Sequence, residues 1–563
     1  MTAQMRTVLI GGEAGQGLVT VGQLLSKVLV RAGWRICVTQ GYQSRVRGGH
    51  NTWAIRFGAG EIGAPEESID LLVALDQETV GLHKGALTPH ALLIADETLD
   101  ALGIPGLRVP YAKLASVKHA NVAALGVAGT LLGLSEELMT GAVEELFGKK
   151  GTDTSAENRR ALAEACRWTG SANTSFPLPG QLSPGLPRIM LNGNEALALG
   201  ALSGGLRFLS FYPMTPSTSI ALTVVAHAAA LGVVTEQAED EIAAVNMAIG
   251  ASFAGAPAAV TTSGGGFALM AEGVSLAAMT ETPLVVMLAQ RPGPATGLPT
   301  RTGQEDLEFV LHAGHGEFAR AVLAPGSPEE CFLMARKAFF LAELFQGPVF
   351  VLTDQFLADS YRAVEPFDVR ALPGVSAGFA GEVAAPYRRY ALTADGVSPR
   401  LLPGQTHHLV IADSDEHTED GHLTEDLAVR NLMVAKRLAK VEGLRWEVIQ
   451  PRFDGPGGAD LLLVSWGSTG AAADEAAAAL RDRGTAASTL HFTQVWPLDP
   501  GQFLGALRAA KRAVFVEGNA TGQFERLVRR ETGFEGAGNV RRFDGLPITP
   551  GYILRALAAA GIT

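Results

Sequence analysis

The 563 residues are more than one ordinary hydrophobic core accommodates, and at the usual length per domain they predict roughly three or four domains. With 47% hydrophobic residues, 66 glycines, 29 prolines and a formal net charge of −12, the chain has the make-up of packed α/β units with tight connections, not of a disordered or fibrous protein. No run of Lys or Arg forms a basic stripe, which excludes nucleic acid as an expected partner, and the apolar stretch 122–134 is too short and glycine-rich to cross a hydrocarbon core of about 30 Å. The first twelve residues hold only the short apolar run Val8-Leu9-Ile10, unlike a cleavable signal or a transit peptide, so a cytoplasmic protein is expected. Cys37, Cys166 and Cys331 are scattered and odd in number. They match neither a disulfide framework nor a close-spaced metal motif, and no iron–sulfur cluster is expected on this chain.

In chain order, a strand is predicted at 6–10, then the glycine turn Gly11-Gly12-Glu13-Ala14-Gly15-Gln16-Gly17, then a helix at 18–30. Backbone amides in such a turn, together with the helix dipole, can hold an anion. The spacing Gly12-x-x-Gly15-x-Gly17 is not the dinucleotide pattern, and the next predicted strand, 36–39, ends at Gln40 with no acid for a ribose diol, which disfavours NAD. Arg45, Arg47, Gly48 and Gly49 form a basic loop suited to a phosphate or to a partner's carboxylate, although a tight turn with surface arginines accounts for it equally well. Apolar runs at 71–75 and 91–95 alternate with helical stretches and predict a parallel sheet covered on both faces, an α/β domain over 1–170.

Prolines and small polar residues mark 171–188 as a linker. A second series follows over 189–370, with strands at 206–212, 232–235, 258–263, 284–290 and 349–353 and helices from Pro216, Asp240 and Phe267. The stretch 371–456 reads as an irregular connector with one amphipathic helix at 427–440. A last α/β domain, 457–563, has strands at 461–466, 485–490 and 513–517, an Ala-rich helix through Arg483 and a helix after Gly522. The fold class is therefore α/β, built of several parallel-sheet domains.

Four strand ends of the second series carry polar or glycine-rich segments: Tyr212-Pro213-Met214-Thr215-Pro216-Ser217, Glu236-Gln237-Ala238-Glu239-Asp240-Glu241, Thr262-Ser263-Gly264-Gly265-Gly266, and Arg291-Pro292-Gly293-Pro294-Ala295-Thr296-Gly297-Leu298-Pro299-Thr300. Ligands of open parallel sheets bind beyond the carboxyl ends of the strands, so these segments are predicted to line one crevice. The acids at 239–241 open an otherwise apolar helix, where the dipole stabilises the anion and burial raises its proton affinity; charge on a solvated helix start explains them as well. Arg291 closes an apolar run and, if buried, needs an anion, for which a substrate carboxylate or a structural aspartate would serve.

Taken together with Gly193-Asn194-Glu195-Ala196 and Gly250-Ala251, these ordered segments resemble the alpha subunit of 2-oxoacid:ferredoxin oxidoreductases. The first glycine turn, Arg47-Gly48-Gly49 and Asn121-Val122-Ala123-Ala124-Leu125-Gly126 resemble the gamma subunit of the same family. The likeness continues through Arg389-Tyr390, Thr393, 396–400, Glu416-His417 and 517–523, covers nearly the whole chain, and is that of a gamma–alpha fusion, most like the 2-oxoglutarate members. Met214, Gly265 and Pro257 depart from the residues common at those places.

The resemblance implies that 189–370 is the pyrimidine-binding half of a thiamine diphosphate site and that 457–563 is transketolase C-terminal-like. Glu241 then matches the glutamate that hydrogen-bonds the aminopyrimidine ring, an acid–base task within a cofactor. Tyr212, Pro213, Thr262, Ser263 and Gly264 are the other expected cofactor contacts. Thr215, Arg291 and Thr300 match positions that hold the 2-oxoacid carboxylate and carbonyl. Gly15, Gly17, Arg45, Arg47, Gly48 and Gly49 are candidates for CoA or phosphate contact or for an interface. Asp413, Asp415, His417, Glu419 and His422 look like a metal loop, but Gly421 is misplaced for an EF-hand; that stretch is expected to be structural or interfacial, and no metal site is expected.

No Gly-Asp-Gly occurs in the chain. By the resemblance, a beta subunit is therefore expected to bring the diphosphate-binding domain, its Mg²⁺ and a [4Fe–4S] cluster, in an (alpha–beta)2 assembly. The implied reaction is CoA-dependent oxidative decarboxylation of a 2-oxoacid with reduction of ferredoxin. The fusion and the stretch 300–318 lean to 2-oxoglutarate, with pyruvate and branched-chain oxoacids open. A non-redox thiamine-dependent transferase and a non-catalytic paralogue are the alternatives.

Overall fold

Val8 and Ile10 are fully buried in the strand Arg6–Glu13, which lies inside an eight-stranded sheet. The strand order is Gly106–Val109, Leu87–Asp96, Ile69–Ala74, Arg6–Glu13, His50–Gly58, Arg35–Gly41, Arg362–Val364, Ile189–Leu191. The computed structural model describes residues 5–43, 48–148, 152–172, 174–176, 178, 187–375 and 378–562. It divides into a first unit of Met1–Asn192, Asp359–Phe367 and Thr549–Tyr552 and a second unit of Gly193–Ala358, Asp368–Ile548 and Ile553–Thr563.

The expectation of a parallel sheet in the first unit needs correction, because the sheet is mixed. His50–Gly58 runs antiparallel to both of its neighbours, Arg6–Glu13 and Arg35–Gly41. The cause is the connection: only residues 42–49 separate Arg35–Gly41 from His50–Gly58, too few for the crossover that a parallel pair requires. The helices Leu18–Arg31, Ala120–Leu131, Glu136–Phe147 and Thr152–Ser171 accompany this sheet, and Leu25, Val28, Leu125 and Leu162 join Ile10, Trp53 and Val73 in its core. Gly22 lets the helix Leu18–Arg31 approach the Trp53 ring so closely that any Cβ would strike it, and the indole Nε1 donates to Ser26 Oγ at 3.1 Å.

The second unit contains two sheets. Seven strands run in the order Gln494–Trp496, Ala321–Leu323, Pro348–Asp354, Leu284–Gln290, Ala258–Thr262, Phe208–Phe211, Val234–Gln237, and all pairs but the first are parallel. Leu284–Gln290 is buried at every position, as a central strand covered on both faces must be, which is why its sequence is a continuous apolar run. The other sheet has the order Arg452–Asp454, Ala487–Phe492, Leu461–Trp466, Ala513–Glu517, Gly538–Arg541. One apolar core runs unbroken from Val286, Leu288 and Phe350 in the first of these sheets to Leu462, Trp466 and Phe515 in the second, where Phe524 packs on Trp466, Phe492 and Phe515.

The helix Leu427–Trp446 extends past its predicted end and buries charges as well as apolar groups. Lys436 Nζ lies 2.6 Å from Glu281 Oε1 and Lys440 Nζ 2.6 Å from Glu281 Oε2, all three side chains being nearly fully enclosed. Arg389 donates to the Glu281 carbonyl at 2.7 Å and to Gln346 Oε1 at 2.9 Å. Burial opposes ionisation of Glu281, but the charges of Lys440, Lys436 and Arg389 outweigh it and hold its carboxyl at about 2. The acid-rich stretch beside this helix is a packing element. The His417 ring lies 4.0 Å from that of Tyr390, and Glu416 accepts hydrogen bonds from Arg430 and Arg437. Among the described residues, no group of three or more His, Cys, Asp or Glu is placed to hold a metal ion, and no helix is long and apolar enough to cross a membrane.

Candidate functional site

Four neighbouring parallel strands, Leu284–Gln290, Ala258–Thr262, Phe208–Phe211 and Val234–Gln237, end at the same edge of the seven-stranded sheet. Each releases one of the segments singled out in the sequence, so the predicted crevice edge exists. The segment after Phe211 is held from below. Asn194, fully buried at the start of the helix Gly193–Ser203, donates through Nδ2 to the Pro216 carbonyl at 2.8 Å and to Ser219 Oγ at 2.7 Å. That pair of bonds gives a physical role to the Gly193-Asn194-Glu195-Ala196 string. The following helix begins at Thr218, not at Pro216 as predicted, and Tyr212 and Pro213 are left exposed.

Glu241 is the first residue of the helix Glu241–Phe253, and Asp240 is its cap, accepting from the Ala243 amide at 2.7 Å. The division of labour is clear: Asp240 satisfies the helix end, and Glu241 turns inward. Only 3% of Glu241 is exposed, and its Oε1 is buried with no hydrogen-bond partner among the described residues. Gly266 faces this carboxylate, and a Cβ there would collide with both Glu241 Oε1 and Thr262 Oγ1. Ser263, buried, caps the helix Gly264–Leu269 without a side-chain hydrogen bond, and its Oγ is also unpartnered. A buried carboxylate oxygen aimed at a glycine-lined space is costly unless a ligand donor completes it. The arrangement leaves one carboxylate oxygen to a hydrogen-bond donor supplied by a ligand.

Arg291 Nη1 donates to the Thr215 carbonyl at 2.6 Å, so two of the three predicted substrate residues meet directly. Its Nε is buried and unpartnered, and burial lowers the guanidinium's proton affinity, opposed by the nearby Asp306. The loop after Arg291 folds back on itself, with the Leu298 amide donating to the Pro292 carbonyl at 3.0 Å. Gly297 (φ 54°) leaves no room for a Cβ against that same carbonyl. Thr300, half-buried, lies on this loop but makes no side-chain hydrogen bond to Arg291 or Thr215 among the described residues. Beyond it, Gln304 binds Gly518 in both directions, at 2.7 and 2.8 Å, and Trp466 at 3.0 Å, which ties the loop to the C-terminal sheet.

Sequence reasoning missed Asp306. Its carboxylate lies against Gly264, where a Cβ would stand 2.5 Å from both of its oxygens, and its Oδ2 is buried without a partner among the described residues. Burial, reinforced by Glu305 and opposed by Arg291, raises its carboxyl to about 7. An acid two residues beyond a glycine–glutamine pair has no distinguishing spacing, so nothing in the sequence marks it.

In the first unit, Gly15 (φ 104°) and Gly17 (φ 82°) adopt left-handed backbone in the turn before Leu18–Arg31, as do Gly48 and Gly49 next to it. Gly17 packs on the Asn121 side chain, and the Ala14 amide donates to the Gly49 carbonyl at 3.3 Å, so the gamma-like segments meet at one edge. Arg45 and Arg47 lie outside the described residues. Beside Gly11, His50 Nε2 and His83 Nε2 share a hydrogen bond of 2.8 Å, a pair the sequence did not single out.

The second unit is an α/β structure with polar and glycine-rich segments gathered at one edge of a parallel sheet, and the family comparisons give its class. Residues 199–436 match the family model described as pyruvate flavodoxin/ferredoxin oxidoreductase, thiamine diphosphate-binding, and residues 7–168 match that of pyruvate ferredoxin/flavodoxin oxidoreductase. The chain is 30% identical to a 2-oxoacid:ferredoxin oxidoreductase subunit alpha from Sulfolobus sp., over 98% of this chain and 96% of that one. It is 33% identical to the 2-oxoglutarate oxidoreductase subunit KorA of Mycobacterium tuberculosis, over 78% and 67% of the two chains. A solved 2-oxoglutarate:ferredoxin oxidoreductase from Magnetococcus marinus, with 2-oxoglutarate, coenzyme A and succinyl-CoA bound, superposes with a TM-score of 0.93 at 29% identity, covering 100% of both chains. The protein belongs to the 2-oxoacid:ferredoxin oxidoreductase family and is an alpha subunit of it, with the gamma-like and thiamine-binding regions in one chain.

Proposed function

We propose that this chain, with a beta subunit, converts 2-oxoglutarate and CoA into succinyl-CoA and CO2 and passes the two released electrons to ferredoxin. The observation that carries the reading is the pairing, at one sheet edge, of a buried Glu241 carboxylate lacking a partner with an Arg291 guanidinium that keeps a free Nε. When bound, thiamine diphosphate supplies the carbanion chemistry that a 2-oxoacid decarboxylation needs. Glu241 would hold and exchange a proton at a pyrimidine nitrogen, and Thr262, Ser263 and Gly264, with Tyr212 and Pro213 at the mouth, would surround the ring. Arg291, steadied by the Thr215 carbonyl, would grip the substrate carboxylate, with Thr300 beside it. The preference for 2-oxoglutarate rests on the relatives named for that substrate and on the ligands of the Magnetococcus enzyme.

The partner would carry the diphosphate, Mg²⁺ and [4Fe–4S] sites, since this chain has no Gly-Asp-Gly and its three cysteines are buried and apart. Exposed apolar side chains on the helices beside the crevice strands suit that partner: Leu222 and Val225 on Thr218–Leu231, Ile242 and Met247 on Glu241–Phe253, and Leu269 on Gly264–Leu269 are each more than two-fifths exposed. An (alpha–beta)2 assembly follows the family resemblance. Gly15, Gly17, Gly48 and Gly49, with Arg45 and Arg47, would meet the phosphates of CoA or an interface.

The test is a substrate panel on the reconstituted complex with viologen as acceptor. Expected is strict CoA dependence and a kcat/KM for 2-oxoglutarate at least about tenfold above those for pyruvate and branched-chain oxoacids. A complex that favours pyruvate, or turns over without an acceptor, overturns the proposal. Two variants probe the residues. Arg291→Lys keeps the charge but loses the planar fork, and KM for the oxoacid should rise about 10- to 100-fold, the equivalent of a charge-assisted bond. Gly266→Ala, on backbone that alanine tolerates, should push Glu241 aside and cut kcat at least about tenfold, at an overpacking cost of about 1–3 kcal/mol.

A further inference from the structure

Two buried carboxyl groups stand on either side of the glycine segment after Thr262: Glu241 against Gly266 and Asp306 against Gly264. The assigned chemistry uses the first and leaves the second without a task. Asp306 is fixed by its backbone, whose amide donates to Gln290 Oε1 at 3.0 Å, while Gln290 Nε2 is anchored on the Thr353 carbonyl at 3.1 Å. Its carboxylate is thus carried by the end of the same strand, Leu284–Gln290, that presents Arg291. No salt bridge joins the two among the described residues, although each feels the other's charge, and Asp306 Oδ2 and Arg291 Nε are both left without a partner there. Asp306, held by Gln290, and Arg291, the next residue along the chain from Gln290, thus each carry a buried polar atom without a partner among the described residues.

We propose that Asp306 is a positioning residue that sets how firmly Arg291 holds the substrate carboxylate: neutral, it leaves the guanidinium to the substrate, and ionised, it competes for it. The inference rests on the reading of Arg291 as the carboxylate anchor. The charges that act on Asp306 are Glu305 on its own loop and Arg291 at the strand end. Glu308, on the next helix turn, is occupied by Arg526 at 2.5 Å, and His312 by Arg530 at 3.3 Å. Burial first and Glu305 second raise the Asp306 carboxyl to about 7, against the pull of Arg291. The sign follows. Below that value the acid is neutral and the anionic substrate binds without repulsion; above it, a like charge faces the incoming carboxylate and affinity falls.

The experiment measures KM and kcat for the 2-oxoacid from pH 6.5 to 8.5 on the reconstituted complex, at saturating CoA. In the wild type KM should rise about sixfold across that range, which a coupling of one pK unit between neighbouring like charges gives for a group titrating at about 7. Asp306→Asn keeps the shape without the titration, and its KM profile should be flat within about twofold; Asp306→Ala should be flat as well. A role in structure alone would shift KM or kcat equally at every pH and leave the slope intact. A flat wild-type profile, or an unchanged slope in both variants, overturns the inference. Arg291→Lys separates the two claims: no change in KM removes the anchor reading and this inference with it, whereas a raised KM with an unchanged slope in Asp306→Asn removes the inference alone.

Discussion

Glutamine in place of Glu241 is expected to reduce kcat of the reconstituted complex by about two to three orders of magnitude, the usual worth of a positioned proton-transfer group. The substitution is isosteric, and the helix cap lies on Asp240, so the helix Glu241–Phe253 keeps its start. The folded chain should suffer little. Glu241 Oε1 is buried and unpartnered, and replacing a buried charge that lacks a donor with a neutral amide removes a desolvation cost. The expected pattern is therefore a melting temperature at or above that of the wild type with activity nearly abolished. Thiamine diphosphate affinity, read by tryptophan quenching or by calorimetry on the complex, should change far less than kcat. A variant that turns over at the wild-type rate would remove Glu241 from the mechanism, and one that fails to assemble with the beta subunit would show that its role is structural.

The second large effect concerns stability. Glu281→Gln leaves the ammonium groups of Lys436 and Lys440 buried with one neutral acceptor between them, and should cost about 3–5 kcal/mol, the usual penalty for breaking a buried pair from one side. The proton affinity of Lys436, lowered by burial to about 8 despite Glu281, would fall further once that carboxylate is gone. Because the folded-state Glu281 carboxyl is depressed to about 2, its contribution is complete above the ordinary glutamate range and is lost as pH falls from there toward 2. Urea unfolding at pH 7 and pH 3 checks both statements: the deficit of the variant should be large at pH 7 and smaller at pH 3. A midpoint equal to that of the wild type at pH 7 would sink the account. Hydrogen exchange should show the helix Leu427–Trp446 losing protection first, since its inward charges depend on that one carboxylate.

What could be read from the sequence was local. Leu284–Gln290 is legible because a doubly covered strand must be apolar throughout, and three of the crevice segments are legible because each follows a largely buried run directly, whereas the acids at 239–241 follow the mostly exposed strand Val234–Gln237. Glu241 was nominated by position and resemblance, but only the structure separates it from Asp240, the cap, and Glu239, which is exposed. The antiparallel strand His50–Gly58 was missed although Trp53, Ile55 and Phe57 alternate with less buried neighbours, a period of two that argues for a strand against two partners. Non-local chemistry left no trace. Glu281 and Lys436 are 155 residues apart, and Asp306 matters through Gly264 and Arg291, neither of which predicts it. The scattered acids of 413–422 were expected to be structural or interfacial, and His417 and Glu416 pack against Tyr390 and two arginines.

The apolar seam between the two sheets of the second unit has a consequence for how this subunit can change. Phe524 touches Trp466, Phe492 and Phe515 of the C-terminal sheet, with ring centroids 4.9–6.4 Å apart, and the same apolar body continues to Val286 and Leu288 behind the crevice. Heating should therefore melt both sheets in one calorimetric transition, and neither can be exchanged with a relative as a module. A C-terminal sheet grafted from another family member would bring its own aromatic set to a surface shaped for this one, and large-to-small mismatches in such cores cost about 2–5 kcal/mol each. Variation on the two sides of that seam has to be inherited together.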